Sequence, residues 1–131
     1  MANEIEQIMT ADKSGEVLVR YSEQLAVQLI RDGLGTSQIR NIFSEVRRIE
    51  SMWRSEGEQV AAMRRLVLLK PKMAYQAARE PKVKNLVLNL DQAISFIEKA
   101  KDPQEQESRF MKFVELFEAI LAYHKAKGGR N

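Results

Sequence analysis

The chain has no cysteine and only one histidine in 131 residues. Without thiols there is neither a disulfide frame nor a thiolate zinc site, and a cysteine–histidine nucleophilic pair is excluded with them. Such a composition suits a reducing compartment or a hot-living organism. Long hydrophobic runs are also lacking, since stretches such as Leu66–Leu69 fall far short of the ~20 apolar residues of a membrane span. The opening Met1-Ala2-Asn3-Glu4 carries no basic signal-peptide region, so a cytoplasmic protein with no membrane partner is expected. There is no Gly-rich phosphate loop of the GxxxxGK[ST] type, and Gly33-Leu34-Gly35 is a bare GxG that a tight turn explains. Carboxylates are scattered: Glu98 with Glu105, and Glu115 with Glu118, read as outer-face helix charges rather than acid/base pairs. No catalytic residue, metal site or cofactor is expected, and the chain reads as a non-enzyme.

Strand-type alternation, repeats and low-complexity tracts are absent too. What remains is helical periodicity, and the fold class expected is all-α, a compact bundle of about five helices. Residues 1–14 read as a partly ordered arm in which Ile5, Ile8 and Met9 make at most one amphipathic turn, and 15–131 as a single helical-bundle domain. The first helix runs from Gly15 or Glu16 to Arg31 with Ser14 as N-cap, burying Leu18, Tyr21, Leu25 and Leu29. Thr36 or Ser37 caps the second, which continues to about Ser55 or Glu56. The third carries Val60, Met63 and Val67 up to Pro71, which kinks it or starts a new segment over Lys72–Arg79. Val83–Ala100 follows, with Val83, Leu86, Val87, Leu90, Ile94 and Ile97 inward. The last helix has Asp102 as N-cap, Pro103 at N1 and Glu105 at N3, and Gly128-Gly129 stop it.

Charge is unevenly spread. Residues 1–35 hold three basic and six acidic groups, residues 36–84 eleven and five, and residues 85–131 seven of each. A net +6 in the middle segment points to a polyanionic partner. The second helix concentrates it. At about 100° per residue, Ile39, Ile42, Phe43, Val46, Ile49 and Trp53 gather in one sector, while Arg40, Ser44, Arg47, Ser51 and Arg54 gather within roughly 80° on another. Glu45 and Glu50 fall outside that basic sector, which therefore reads as an uninterrupted cationic stripe suited to phosphates. Arg47 and Arg48 are assigned to the ridge on this periodicity alone. His124 shares a face with Phe117 and Leu121, so it is either a histidine at the edge of the core or an RNA contact. Trp53 continues the apolar stripe and reads as core rather than as a stacking platform. Tyr75, between Lys72 and Arg79, leaves both roles open.

Three blocks together carry a resemblance: Leu34-Gly35-Thr36-Ser37-Gln38-Ile39-Arg40-Asn41-Ile42-Phe43, then Leu69-Lys70-Pro71-Lys72-Met73-Ala74-Tyr75-Gln76-Ala77-Ala78-Arg79-Glu80, then Phe110 to Tyr123-His124-Lys125 followed by Gly128-Gly129. In order and spacing they resemble the small subunit of the type III-A CRISPR effector, the Csm complex, over roughly residues 17–129. Gly35 stands where a threonine is expected, and Ala78 where a small residue, often glycine, is expected; neither removes a cation. The resemblance implies an all-helical, non-catalytic subunit that stacks in several copies inside a guide-loaded filament and contacts target RNA without reading its sequence. Its partners would be target RNA and guide RNA within the effector, the other Csm subunits, and further copies of itself, head to tail or as a dimer. Matched to its blocks, Thr36, Ser37, Gln38 and Arg40 would sit at a helix N-terminus that favours anions, with Lys70, Lys72 and Arg79 from the second block and His124 and Lys125 from the third.

Two other readings stand beside it. Leu25–Arg31, a Gly-containing turn and a basic helix imitate a helix-turn-helix DNA-binding regulator, which would bind duplex DNA as a symmetric dimer. A helical scaffold whose basic stripe meets an acidic protein surface is the other.

Overall fold

A computed structural model describes residues 3–130. Six α-helices run in the order α1 Glu4–Thr10, α2 Glu16–Arg31, α3 Thr36–Arg54, α4 Gln59–Arg79, α5 Lys84–Glu98 and α6 Pro103–Ala126, with a 3-10 turn over Pro81–Val83 before α5. Among the described residues there is no strand, so the all-α bundle expected from periodicity is the architecture found.

α6 is the spine. Its Phe110, Phe113, Phe117 and Ile120 are fully enclosed, α2 packs along it more extensively than any other helix does, and α3 crosses it antiparallel. The α3–α6 contact is an aromatic ladder. Trp53 stacks on Phe110 with ring centroids 4.4 Å apart, Phe43 meets Phe117 at 4.9 Å, and Thr36 meets His124 at the far end. Each such aromatic pair adds about 0.5–1.5 kcal/mol beyond its buried area. Every apolar position expected on the inner face of α3 and α5 is buried.

Several local expectations differ from what the chain does. Leu18 and Tyr21 of α2 are only half-buried, and α4 turns Ala62, Leu66, Leu69 and Met73 inward while Val60 stands exposed. Ile5, Ile8 and Met9 are fully buried against α2, α5 and α6, so the N-terminal stretch is a two-turn docked helix rather than an arm. Asn3 caps it through a bond from the Ile5 amide. α2 is capped mainly by Asp12, whose carboxylate accepts from the Val17 and Leu18 amides at 3.2 and 2.9 Å; the left-handed Gly15 folds the chain back so that Asp12 reaches them. Of the two roles expected for Pro71, the start of a new segment does not occur, because α4 runs unbroken through it. The ring faces solvent, while Leu69 and Met73 on either side are buried and hold the helix to the core. At α6 the sequence signal holds: the Asp102 carboxylate accepts from the Glu105 amide at 2.8 Å.

Candidate nucleic-acid interface

The N-terminus of α3 is built on a polar node inside the protein. Gly33, at φ +82, turns the chain out of α2, and Gly35 is the extended N-cap whose amide donates to the Gln38 side chain at 2.9 Å. The His124 ring lies between Leu34 and Thr36, with Nε2 2.7 Å from the Leu34 carbonyl oxygen and Nδ1 3.2 Å from the Thr36 hydroxyl. Because a carbonyl can only accept, Nε2 carries a proton, and in the neutral ring Nδ1 accepts from Thr36. The tail then closes over this pair. Gly129 donates to the His124 carbonyl at 2.7 Å, and the Thr36 amide donates to the Arg130 carbonyl at 2.5 Å.

Thr36 and His124 are therefore wholly enclosed and present no side-chain surface to a ligand. The Thr36 amide, expected to be open to anions, is occupied by the tail. Of the first block, Ser37 and Arg40 are exposed, while Gln38 is half-buried and bonded back to Gly35.

Along α3 the basic stripe is interrupted, contrary to the wheel reading. Glu50 has its Cβ on the buried side, but its carboxylate reaches out to accept from Arg47 at 2.8 Å and from Arg54 at 2.9 Å. Arg47 also donates to Glu118 of α6 at 2.6 Å and lies 4.7 Å from the Phe43 ring centroid. Burial pushes the Glu50 carboxyl up, and the bonds from both guanidiniums outweigh it, so its pKa lies below the ordinary value. A carboxylate lowered on folding stabilises above its unfolded pKa and loses that contribution as pH falls through its folded one. Wild-type stability should therefore fall on acidification below about pH 5, and Glu50→Gln should be less stable at pH 7 but flatter over the acid range. Urea midpoints measured from neutral to acid pH test this, and identical slopes for the two proteins would rule Glu50 out as a source.

What remains on the outward face is Ser37, Arg40, Asn41, Ser44, Arg48 and Ser51, all exposed and without a carboxylate. Among the described residues, Arg40 and Arg48 form no ion pair. Across a groove on α4 stand Lys72 and Arg79, likewise exposed. With Gln38, Tyr75, Gln76 and Glu80 they line a cleft of about 370 Å³. Lys70 points elsewhere, donating to Glu98 at 2.8 Å and Ser95 at 3.1 Å on α5; the bond to Glu98, despite partial burial, raises its pKa. Lys125 is exposed at the end of α6, one residue beyond the node. The structure thus brings Gln38, Lys72 and Arg79 to one cleft, leaves Ser37, Arg40 and Arg48 along the outward face of α3, and draws Arg47 and Lys70 into ion pairs. Asn41, Gln76 and Glu80 also reach this surface; they lay between the quoted cations in sequence, but no periodic signal marked them.

The geometry defines an all-helical protein whose lone imidazole is sealed inside and whose α3 and α4 present Arg40, Arg48, Lys72 and Arg79 to solvent outside any ion pair among the described residues. The chain belongs to the Csm2 Type III-A family, whose model matches residues 12–130, and is thus a small subunit of the type III-A CRISPR Csm complex. The matched span omits α1, although that helix is part of the core. No match was found among curated proteins or among solved structures. None of the described helices is long and apolar enough to cross a membrane.

Proposed function

We propose that this subunit is non-catalytic, stacks in several copies in the interior of the Csm filament, and holds target RNA, paired to its guide, without reading sequence. One observation carries the reading: beside the Glu50 bridge that ties up Arg47 and Arg54, Ser37, Arg40, Asn41, Ser44, Arg48 and Ser51 leave an exposed strip of α3 with no carboxylate among them. Arginine's planar fork suits phosphate, and serine and asparagine suit phosphate oxygens and 2′-hydroxyls. From Arg40 to Arg48 the face runs about 12 Å along the axis, and Lys72, Arg79 and Lys125 widen it. Because sequence would be read by guide pairing, a shape-matched cationic surface is enough.

In this reading Thr36 and His124 fix the start of α3, and Lys70 fixes α4 against α5, so each serves the surface from behind. Arg47 joins the RNA by exchanging half-exposed Glu118 for phosphate. The non-catalytic role is supported by His124, both of whose ring nitrogens are engaged and out of reach of a substrate. A cytoplasmic location and contacts with copies of itself belong to the same proposal.

Co-purification of the tagged protein from its native host at moderate salt tests it. Short guide RNA should be recovered with the other effector subunits. Recovery of a discrete duplex DNA site, or of protein partners with no RNA, would overturn the proposal.

A further inference from the structure

We infer that the cleft between the start of α3 and the end of α4 takes a single unstacked nucleobase, with Tyr75 as its stacking platform. This rests on the RNA-binding reading above and adds a mode of contact that a phosphate-facing ridge does not supply. Tyr75 is 65% exposed, an aromatic ring left in water on a surface otherwise given to cations and amides. The Arg79 guanidinium sits 5.7 Å from its ring centroid, so the two planar groups stand together at one wall. A base laid on either gains stacking, with a cation–π component from the arginine. The volume, about 370 Å³, is at the small end of ligand sites and fits one ring system rather than a run of nucleotides.

The other walls speak against a phosphate in the cleft itself. Glu80 lines it, and a carboxylate repels phosphate but accepts from the N–H groups that every base carries on its Watson–Crick edge. Glu80 is held in place, its amide bonded to the Gln76 carbonyl at 2.8 Å and its chain turned into Pro81. The Gln38 oxygen is committed to the Gly35 amide, which leaves its NH₂ as a donor, and the Gln76 amide both donates and accepts. Acceptors and donors together suit all four bases, in keeping with sequence-independent binding. Lys72 at the same cleft is placed for the phosphate of the extruded nucleotide. A nucleobase reaches this cleft only when it is out of the duplex, so the site selects unpaired positions.

The test is fluorescence anisotropy of the full chain with a short single-stranded RNA and with a blunt RNA duplex of the same length. The proteins are wild type, Tyr75→Ala, Tyr75→Phe and Arg48→Ala. Tyr75→Ala should weaken single-strand binding about tenfold, leaving duplex binding and its salt dependence unchanged, and Tyr75→Phe should match wild type. Equal losses on both RNAs, or no loss on either, would overturn the cleft assignment. If Arg48→Ala weakens both RNAs while Tyr75→Ala weakens neither, the cleft fails and the ridge stands. If wild type binds neither RNA, the ridge fails and the cleft with it. AMP supplies the same chemistry as a free nucleotide. Saturable AMP binding that needs Tyr75, with no effect of Tyr75→Ala on single-stranded RNA, would assign the cleft to a free nucleotide instead.

Discussion

His124→Leu is expected to lower folding stability by about 2–4 kcal/mol while keeping the side chain's approximate volume. The loss comes from the groups left behind. The Leu34 carbonyl and the Thr36 hydroxyl both take their side-chain partner from this ring, at 2.7 and 3.2 Å, in a site closed to solvent. Each buried polar group without a partner costs about 1–3 kcal/mol. Thr36→Val should cost less than His124→Leu, since the ring keeps its bond to Leu34. In the His124→Leu background Thr36→Val should cost less again, because the hydroxyl it removes is already orphaned. Gly129→Ala approaches the node from the other side. A Cβ there would lie 2.1 Å from two His124 ring atoms and 2.6 Å from its carbonyl oxygen, so the tail must lift and the Thr36–Arg130 bond must break. Overpacking of this kind costs about 1–3 kcal/mol. Urea unfolding at neutral pH measures all four variants. A loss below about 1 kcal/mol for His124→Leu would mean that water replaces the ring and the node contributes little.

The node shows where sequence reading stops. Periodicity left His124 at the core edge or on RNA, and cap chemistry offered Thr36 or Ser37 as the N-cap of α3; the ring is wholly enclosed, and Gly35 is the cap with Thr36 the first helical residue. Neither the 88 residues that separate them nor the tail folding back over both is visible in a local pattern. Glu50 makes the same point about side chains. A helical wheel records where Cβ points, and Glu50's points inward, yet its carboxylate extends far enough to bridge Arg47 and Arg54 and divide a stripe that looked continuous. Lys70 is drawn off the candidate surface by Asp91 and Glu98, partners a whole helix away in sequence. Asp12 caps α2 from four residues upstream because Gly15 is left-handed, a geometry that a cap search at the adjacent residue passes over. Apolar faces were legible because burial repeats with the helix; ion pairing was not, because long side chains choose partners across helices. Arg40 and Arg48 are exposed, and no carboxylate on α3, α4 or α6 pairs with them among the described residues.

That freedom sets the largest functional effect expected. Replacing Arg40 and Arg48 together by alanine should weaken RNA binding about 100-fold at low salt, since a charge-assisted contact is worth about 1.5 kcal/mol or more and each 1.4 kcal/mol is tenfold. The two sites lie about 12 Å apart on one helix, far enough for their losses to add. The loss should be the same for unrelated RNA sequences, because phosphates carry no base identity. Against single strands, the slope of log affinity on log salt should become shallower by about 1.4, at roughly 0.7 per phosphate contact removed. Folding stability should change by less than about 0.5 kcal/mol, both side chains being exposed and outside any ion pair. Arg47→Ala should lower affinity less than either single change, because its guanidinium must first leave Glu118, and it should cost stability by leaving Glu50 with Arg54 as its one remaining partner. Anisotropy titrations on two unrelated RNAs over a salt series, with urea unfolding of the same proteins, read all of these together. A loss confined to one RNA would mean base readout, and an unchanged salt slope would mean that the arginines do not meet phosphate. Lysine at both positions separates charge from geometry: the salt slope should return to the wild-type value while affinity recovers only in part, because an ammonium keeps the charge and loses the two-point fork.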